Sequence, residues 1–153
     1  MKRQIKSVKR SSRYKDRILI KLYDGELIKT SEEFFVKSSL KANDFIDQEV
    51  IDSLQNDIRI RQALDTAYKF LSFRVRSNHE VYQKLSQKGY NKFEILEVLK
   101  KLINMNYLND NEFANIFTRD KFKVKKHGPL TVIDGLKKNK ISDETIHNTI
   151  FKY

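Results

Sequence analysis

The 153-residue chain contains no cysteine, which excludes disulfide staples, cysteine-containing zinc sites and thiol catalysis, and fits a reducing compartment. No apolar run approaches the roughly 20 residues needed to span a bilayer. The opening Met-Lys-Arg-Gln-Ile-Lys also lacks the apolar segment that a secretory signal places behind its charges. A soluble, cytoplasmic protein without membrane contact is the expectation. Neither Gly-x-x-x-x-Gly-Lys nor Gly-x-Gly-x-x-Gly occurs, so neither phosphate-cradling route to nucleotide binding is supported. His79, His127 and His147 have no metal-ligand spacing among themselves. The adjacent Glu32 and Glu33 read as acids favouring the positive end of a helix rather than as an acid and base pair. The sequence thus gives no reason to expect an enzyme, a metal or a cofactor.

What the chain has in excess is positive charge, +11 overall. Residues 1 to 17 carry eight Lys or Arg against one acid, and residues 121 to 140 carry seven Lys against one acid. The other residues are close to neutral, so the excess is local. Two basic zones suit a polyanionic partner, nucleic acid or an acidic protein groove, although a solvated lysine-rich surface has the same composition.

The first third differs from the rest. Residues 17 to 29 form two apolar-rich runs around Asp24-Gly25, a pair suited to the positive φ angles of a two-residue hairpin turn. Ile5 and Val8 suggest a third strand in the basic leader. Ser31 with Glu32 and Glu33 starts a short helix through about Leu40, and a second helix is predicted from Asp47 to Asn56. From about Ile58 the pattern is helical throughout. Ile60, Ala63, Leu64, Ala67 and Leu71 form one apolar stripe. Ser77 with Glu80 and Asn91 with Glu94 have capping-box spacing, and Gly89 ends the helix between them.

A second series begins at Asn109-Asp110 with Phe113, Ala114, Phe117 and Val124. It restarts at Gly128-Pro129 with Leu130, Val132, Ile133 and Leu136, and again at Ser142 with Ile146, Ile150 and Tyr153. Shifting the sequence by 51 positions sets Ala63 on Ala114, Leu71 on Phe122, Val81 on Val132, Leu85 on Leu136, Tyr90 on Ile141, Ile95 on Ile146 and Leu99 on Ile150. Apolar positions keep step while reactive side chains do not, so a packing unit is duplicated. Gly135, inside a predicted helix, marks a close approach by a neighbour. The expected organisation is a basic leader, hairpin and short helices over 1–57, then three-helix repeats over 58–106 and 107–153. The fold class is mainly α, with tandem three-helix repeats in an elongated curved array and a small N-terminal β-hairpin element.

The run Ala67-x-x-x-Leu71-Ser72-x-Arg74-x-Arg76-Ser77-x-x-Glu80-x-x-x-Lys84-Leu85-x-x-Lys88-Gly89 resembles the first-repeat signature of the RecX family, bacterial regulators of the RecA recombinase. Tyr107-Leu108-Asn109-Asp110-x-x-Phe113-Ala114 is similar to the segment joining that family's first two repeats, and Gly128-Pro129 with Leu136 resembles its second. The hairpin resembles a β-element of longer Gram-positive relatives. Relatives commonly carry a third repeat, and this sequence ends after two. The resemblance implies a monomeric regulator in DNA repair, homologous recombination and the SOS response. Such a protein lies along the groove of the RecA filament on single-stranded DNA and inhibits ATP hydrolysis and strand exchange, with weak non-specific binding to single- or double-stranded DNA.

Most signature residues have a structural reason to be there: Ser77, Glu80, Asn109 and Asp110 cap helices, and Ala63 and Ala114 permit close packing. Phe70, Phe73, Phe113 and Phe117 read as core rather than as base-stacking rings. The candidate partner-binding residues are therefore Arg74, Arg76, Lys121, Lys123, Lys125, Lys126, Lys137 and Lys138, at helix ends and polar faces. Arg74 maps onto Lys125 under the shift. A stand-alone nucleic-acid-binding helical module is the alternative. The segments that would open its reading helices, Asn78-His79-Glu80 and Pro129-Leu130-Thr131, are poor in base-reading side chains. An adaptor for some other acidic protein is the third possibility.

Overall fold

Alternating apolar residues in the first 31 positions build a sheet, as they must if one face is to leave water. A computed structural model describes residues 2–153. Strands β1 (Arg3–Arg10), β2 (Arg17–Leu22), β3 (Leu27–Ser31) and β4 (Phe45–Ile46) form an antiparallel sheet in the order β3-β2-β1-β4. The third strand in the leader is present, and β4 is an addition too short to register as a pattern. The β2–β3 connection departs from the expected two-residue turn. Gly25 N–H donates to Leu22 O at 3.0 Å, Leu22 N–H donates to Glu26 O at 2.9 Å, and only Gly25 takes a positive φ, +95°. This is a three-residue loop with glycine at its left-handed position, so Asp24 needs no unusual backbone.

Helix α1 (Glu32–Ser38) follows, capped by the Ser31 hydroxyl, which accepts from Phe34 N–H. The same hydroxyl donates to Asp57 at 2.6 Å. Asp57 belongs to α2 (Gln48–Leu71), one continuous helix of 24 residues where the sequence suggested two. The polar Asn56-Asp57 step looked like a break, but it contains neither glycine nor proline, and the Ser31 hydroxyl satisfies the carboxylate without interrupting the helix. The division of the chain into two compact units, Met1–Gln62 and Ala63–Tyr153, falls inside α2. In the first unit Ile5, Ile18, Ile20, Leu22, Ile28 and Ile46 of the sheet pack with Ile51 and Leu54 of α2, flanked by Phe34 and Phe35.

The second unit is helical. After α2 come α3 (Asn78–Gln87), α4 (Lys92–Asn104), α5 (Asp110–Arg119), α6 (Pro129–Lys138) and α7 (Asp143–Phe151), with a π-helical turn, Asp120–Val124, continuing α5. Both capping boxes form, Ser77 with Glu80 and Asn91 with Glu94, and Asn109 and Ser142 cap α5 and α7.

The 51-residue echo is a structural repeat. Ala63 and Ala114, Ala67 and Thr118, Val81 and Val132, Leu85 and Leu136, and Ile95 and Ile146 are all buried pairs. The N-caps Ser77 and Asn91 fall on the N-caps Gly128 and Ser142. Gly135 makes the expected close approach, since a Cβ there would lie 2.7 Å from Phe117 Cζ. Four apolar or aromatic residues are placed otherwise than expected: Val124, Leu130, Phe73 and Tyr153 are 71%, 83%, 74% and 50% exposed. The π turn rotates the helix phase so that Phe122 packs against the second core and Val124 faces out. Leu130 lies in the first turn of α6, and Phe73 lies beyond the end of α2.

The repeat also equates Gly89 with Lys140, and both take positive φ, +92° and +57°. A left-handed backbone costs a non-glycine residue about 1 kcal/mol. Gly89→Ala is therefore expected to lower stability by about 1 kcal/mol, and Lys140→Gly to raise it by a few tenths, the larger unfolded-state entropy of glycine offsetting part of the relief. Denaturant melts of the two variants, read by circular dichroism, check both signs.

Candidate partner-binding site

The segment between α2 and α3 carries Arg74, Val75 and Arg76 directly before the cap of α3. Glu80 closes that cap: its carboxylate accepts from Ser77 N–H at 3.1 Å while the Ser77 hydroxyl accepts from Glu80 N–H at 3.1 Å. The same carboxylate binds the Arg74 guanidinium and lies 3.7 Å from that of Arg76. Arg76 is largely buried, its side chain 15% exposed, and lies on the Phe70 ring 3.9 Å from the centroid. Its charge is occupied by Glu80 and the ring face. Arg74 keeps 53% of its side chain exposed and points to the surface.

The partner half comes from the end of α5. There the helix underwinds into wider turns: Lys125 N–H donates to Asp120 O at 3.2 Å and His127 N–H donates to Lys121 O at 2.8 Å. Lys126 takes a positive φ of +54°. Lysines at this helix end complement its unpaired carbonyls, which accounts locally for their presence. Lys121 is half-buried with its ammonium 5.2 Å from the Phe117 ring, whereas Lys123, Lys125 and Lys126 are exposed.

Together the two halves line an open groove of about 700 Å³. Arg74, Arg119, Lys121 and Lys123 stand on its walls with Glu80 and Asp120, a net charge of +2 from four cations and two acids. Val75, Ile116, Phe117 and Val124 supply apolar lining. The groove thus unites Arg74, Lys121 and Lys123, and Lys125 and Lys126 follow on the adjoining exposed segment. It does not include Lys137 or Lys138. Lys137 lines a smaller depression of about 450 Å³ beside Ile133, Ile146, Ile150 and Phe151, and Lys138 pairs with Asp134 at 3.3 Å. Sequence reasoning missed Arg119 and the apolar lining. A signal was present in Val75, an apolar residue between two arginines and off any apolar stripe; Val124 was hidden because helical spacing set it in the series of Phe113 and Phe117.

The walls stay in register through Asp110, whose carboxylate accepts from Asn78 N–H at 2.8 Å and so ties the start of α5 to the start of α3. Burial raises the Asp110 pKa above the usual carboxylate value. The Asn78 hydrogen bond and nearby His79 act against that rise, and Glu80 adds to it. Among the described residues, no group of three or more His, Cys, Asp or Glu is placed to hold a metal, and no helix is long and apolar enough to cross a membrane.

Duplicated three-helix domains, the second edged by a cation-lined groove, define a tandem helical-domain protein. Residues 63–102 match the family model described as RecX, first three-helix domain. The chain is 31% identical over 150 residues to Regulatory protein RecX of Listeria monocytogenes serovar 1/2a, a match covering 98% of this chain and 56% of that one. Against Regulatory protein RecX of Bacillus velezensis, identity is 34% over 118 residues, covering 77% and 45%. A crystal structure of regulatory protein RecX superposes with a TM-score of 0.82 at 18% identity, over 98% of this chain and 73% of that one. RecX from Lactobacillus salivarius gives a TM-score of 0.59 at 26% identity, over 61% of each. Residues 63–102 thus carry the first three-helix domain of the RecX family, and the chain spans about half the length of the curated relatives it matches.

The raised pKa of Asp110 fixes a pH dependence. A carboxyl whose folded pKa exceeds its unfolded value stabilises the fold at pH below both values, and that contribution is lost as pH rises through the folded value. Asp110→Asn keeps an acceptor for Asn78 N–H and removes the charge, so its stability relative to the parent is expected to improve as pH rises from about 3 to 7. Asp110→Ala leaves that N–H without its acceptor and costs about 1 kcal/mol throughout. Denaturant melts across this range test both.

Proposed function

We propose that this chain is a regulator that binds the RecA filament on single-stranded DNA through the groove between Arg74 and the Lys121–Lys126 segment. In doing so it lowers RecA's ATP hydrolysis and strand exchange. The observation that carries the reading is the juxtaposition of Arg74, Arg119, Lys121 and Lys123 around an apolar lining in a chain that carries the first three-helix domain of the RecX family. Such a surface fits an acidic protein groove. The cations steer approach and select the sign of the partner, while Val75, Ile116 and Val124 gain by leaving water.

The chemistry asked of the protein is binding. Cations placed against a filament occlude DNA and oppose the closure that couples ATP hydrolysis to strand exchange. Arg76 acts at one remove, by holding the Glu80 carboxylate that orients Arg74. Lys137 and Lys138, on α6, extend the basic surface beyond the groove. The start of α3 does not favour a duplex-reading module, because Glu80 is engaged with Ser77, Arg74 and Arg76.

In a RecA-dependent ATP hydrolysis assay on single-stranded DNA, stoichiometric protein is expected to reduce both hydrolysis and strand exchange. Lys123→Glu, Lys125→Glu and Lys126→Glu combined should need at least tenfold more protein for the same inhibition, about 1.4 kcal/mol of binding, with an unchanged helical signal because all three are exposed. Adding Lys121→Glu should deepen the loss. Unchanged hydrolysis and exchange with the parent protein would overturn the regulator reading, and a tight, sequence-specific footprint on naked duplex DNA would replace it with a stand-alone DNA-binding module.

A further inference from the structure

The second basic zone, in the first 17 residues, lies outside the groove just described, and the sheet shows what it builds. Residue phase along β1 changes at Lys6, where pairing passes from Ile5 opposite Leu22 to Ser7 opposite Lys21. Without that bulge Val8 would face away from the core. With it Ile5 and Val8 both face inward, and Lys6 and Ser7 both face outward.

The outer face can then be read row by row from the pairing. Lys9 stands opposite Leu19, which stands opposite Lys29; Ser7 stands opposite Lys21, which stands opposite Leu27; Gln4 stands opposite Phe45. Lys6, Lys9, Lys21 and Lys29 are all exposed. Phe45 is 61% exposed, and so is 56% of Tyr23, whose hydroxyl donates to Asn43 Oδ1 at 3.0 Å.

Acids near the sheet are drawn to other places. Asp24 and Glu26 are bound by Arg3, which shares the inward phase of Ile5 and Ile46, Glu32 is bound by Arg10, and Asp16 by Arg17. The paired outward rows hold lysines, apolar residues and one each of Ser and Gln, with no acid among the described residues. Strands lie about 4.8 Å apart and alternate residues about 6.7 Å apart, so Lys6 and Lys21 lie nearer the rings and Lys9 and Lys29 extend the cationic face away from them along the strands.

We propose that this outer face is a second, independent binding site for single-stranded DNA, with thymine-like bases stacking on Phe45 and Tyr23 and phosphates held by Lys6, Lys9, Lys21 and Lys29. Exposed rings at one end of a cationic sheet face suit unpaired bases, whose faces are free, whereas a duplex hides them. Charge complementarity excludes an acid-poor partner, and the rings distinguish the surface from a simple lysine coat. The choice of DNA over RNA rests on the filament reading above; the site itself does not.

The chain has no tryptophan, so Phe45→Trp creates a sole reporter on this face. Titrated with oligothymidylate at low salt in the absence of RecA, its fluorescence should be quenched saturably, and the quenching should weaken steeply with added salt. Anisotropy of a fluorescein-labelled oligothymidylate with the unsubstituted chain should give the same affinity within about threefold, showing that the reporter does not create the site. Lys9→Glu, Lys21→Glu and Lys29→Glu combined should weaken quenching at least tenfold, with the thermal melt retained. Lys123→Glu, Lys125→Glu and Lys126→Glu combined should leave it unchanged. Absent quenching, equal quenching by a duplex of the same length, tighter binding of oligouridylate, or full binding by the sheet triple variant would each overturn the proposal. Because RecA is absent, none of these outcomes bears on inhibition of the recombinase.

Discussion

One carboxylate organises the second compact unit. Glu80 caps α3 through Ser77, binds Arg74 and lies beside Arg76, which in turn lies over the Phe70 ring. Hydrogen bonds to ionised groups contribute more than neutral ones, and here several converge on a side chain that is only 16% exposed. The irregular segment from Ser72 to Ser77 is therefore held by an ion pair and a ring face rather than by regular structure. Arg74 is aimed by that arrangement, and the groove wall it forms exists because Glu80 is in place. The neighbouring hydrogen bond from Asn78 N–H to Asp110 extends the same framework to the start of α5.

Duplication explains the rest of this unit, and the departures from duplication explain its surface. Buried positions repeat at 51 residues with little change, since each copy must fill the same helical core, and the helix starts keep their places although the capping boxes of the first copy are not repeated in the second. The copies part at the end of their first helices. The first copy ends at Leu71 and passes into the Arg74–Arg76 segment, whereas the second underwinds into a π-helical turn loaded with lysine. Insertions of this kind redirect side chains: Phe122 turns inward to the core, and Lys123 and Val124 face out onto the groove and its rim. The two basic zones of the sequence thus serve separate compact units, one on a helix end and one on a sheet face.

Much of this was legible from residue patterns, for identifiable reasons. Capping boxes are local chemistry, so Ser77 with Glu80 and Asn91 with Glu94 could be read directly, as could the Gly128-Pro129 start of α6. The repeat was visible because core positions constrain side-chain size. Four things were hidden. The continuity of α2 depends on Asp57 meeting Ser31, a contact between residues 26 apart. The strand β4 has two residues and owes its existence to pairing with β1 rather than to its own composition. The pairing of Arg74 and Arg76 with Glu80 was hidden because the Glu80 carboxylate already had an evident role as a cap, and a cap does not announce further partners. Arg119 was overlooked as an ordinary helix-end cation, and only the fold sets it on the wall opposite Arg74.

We propose that the cation-lined groove recognises a RecA filament as a protein surface and that naked DNA is a weaker partner. Co-sedimentation with RecA filaments preassembled on single-stranded DNA, set beside the same DNA without RecA at two salt concentrations, addresses it directly. Retention on filaments is expected at a salt concentration that releases the protein from naked DNA, since contacts with the apolar lining persist when phosphate contacts are screened. Equal loss from both at the higher salt would show that only phosphates are being bound, and would contradict it.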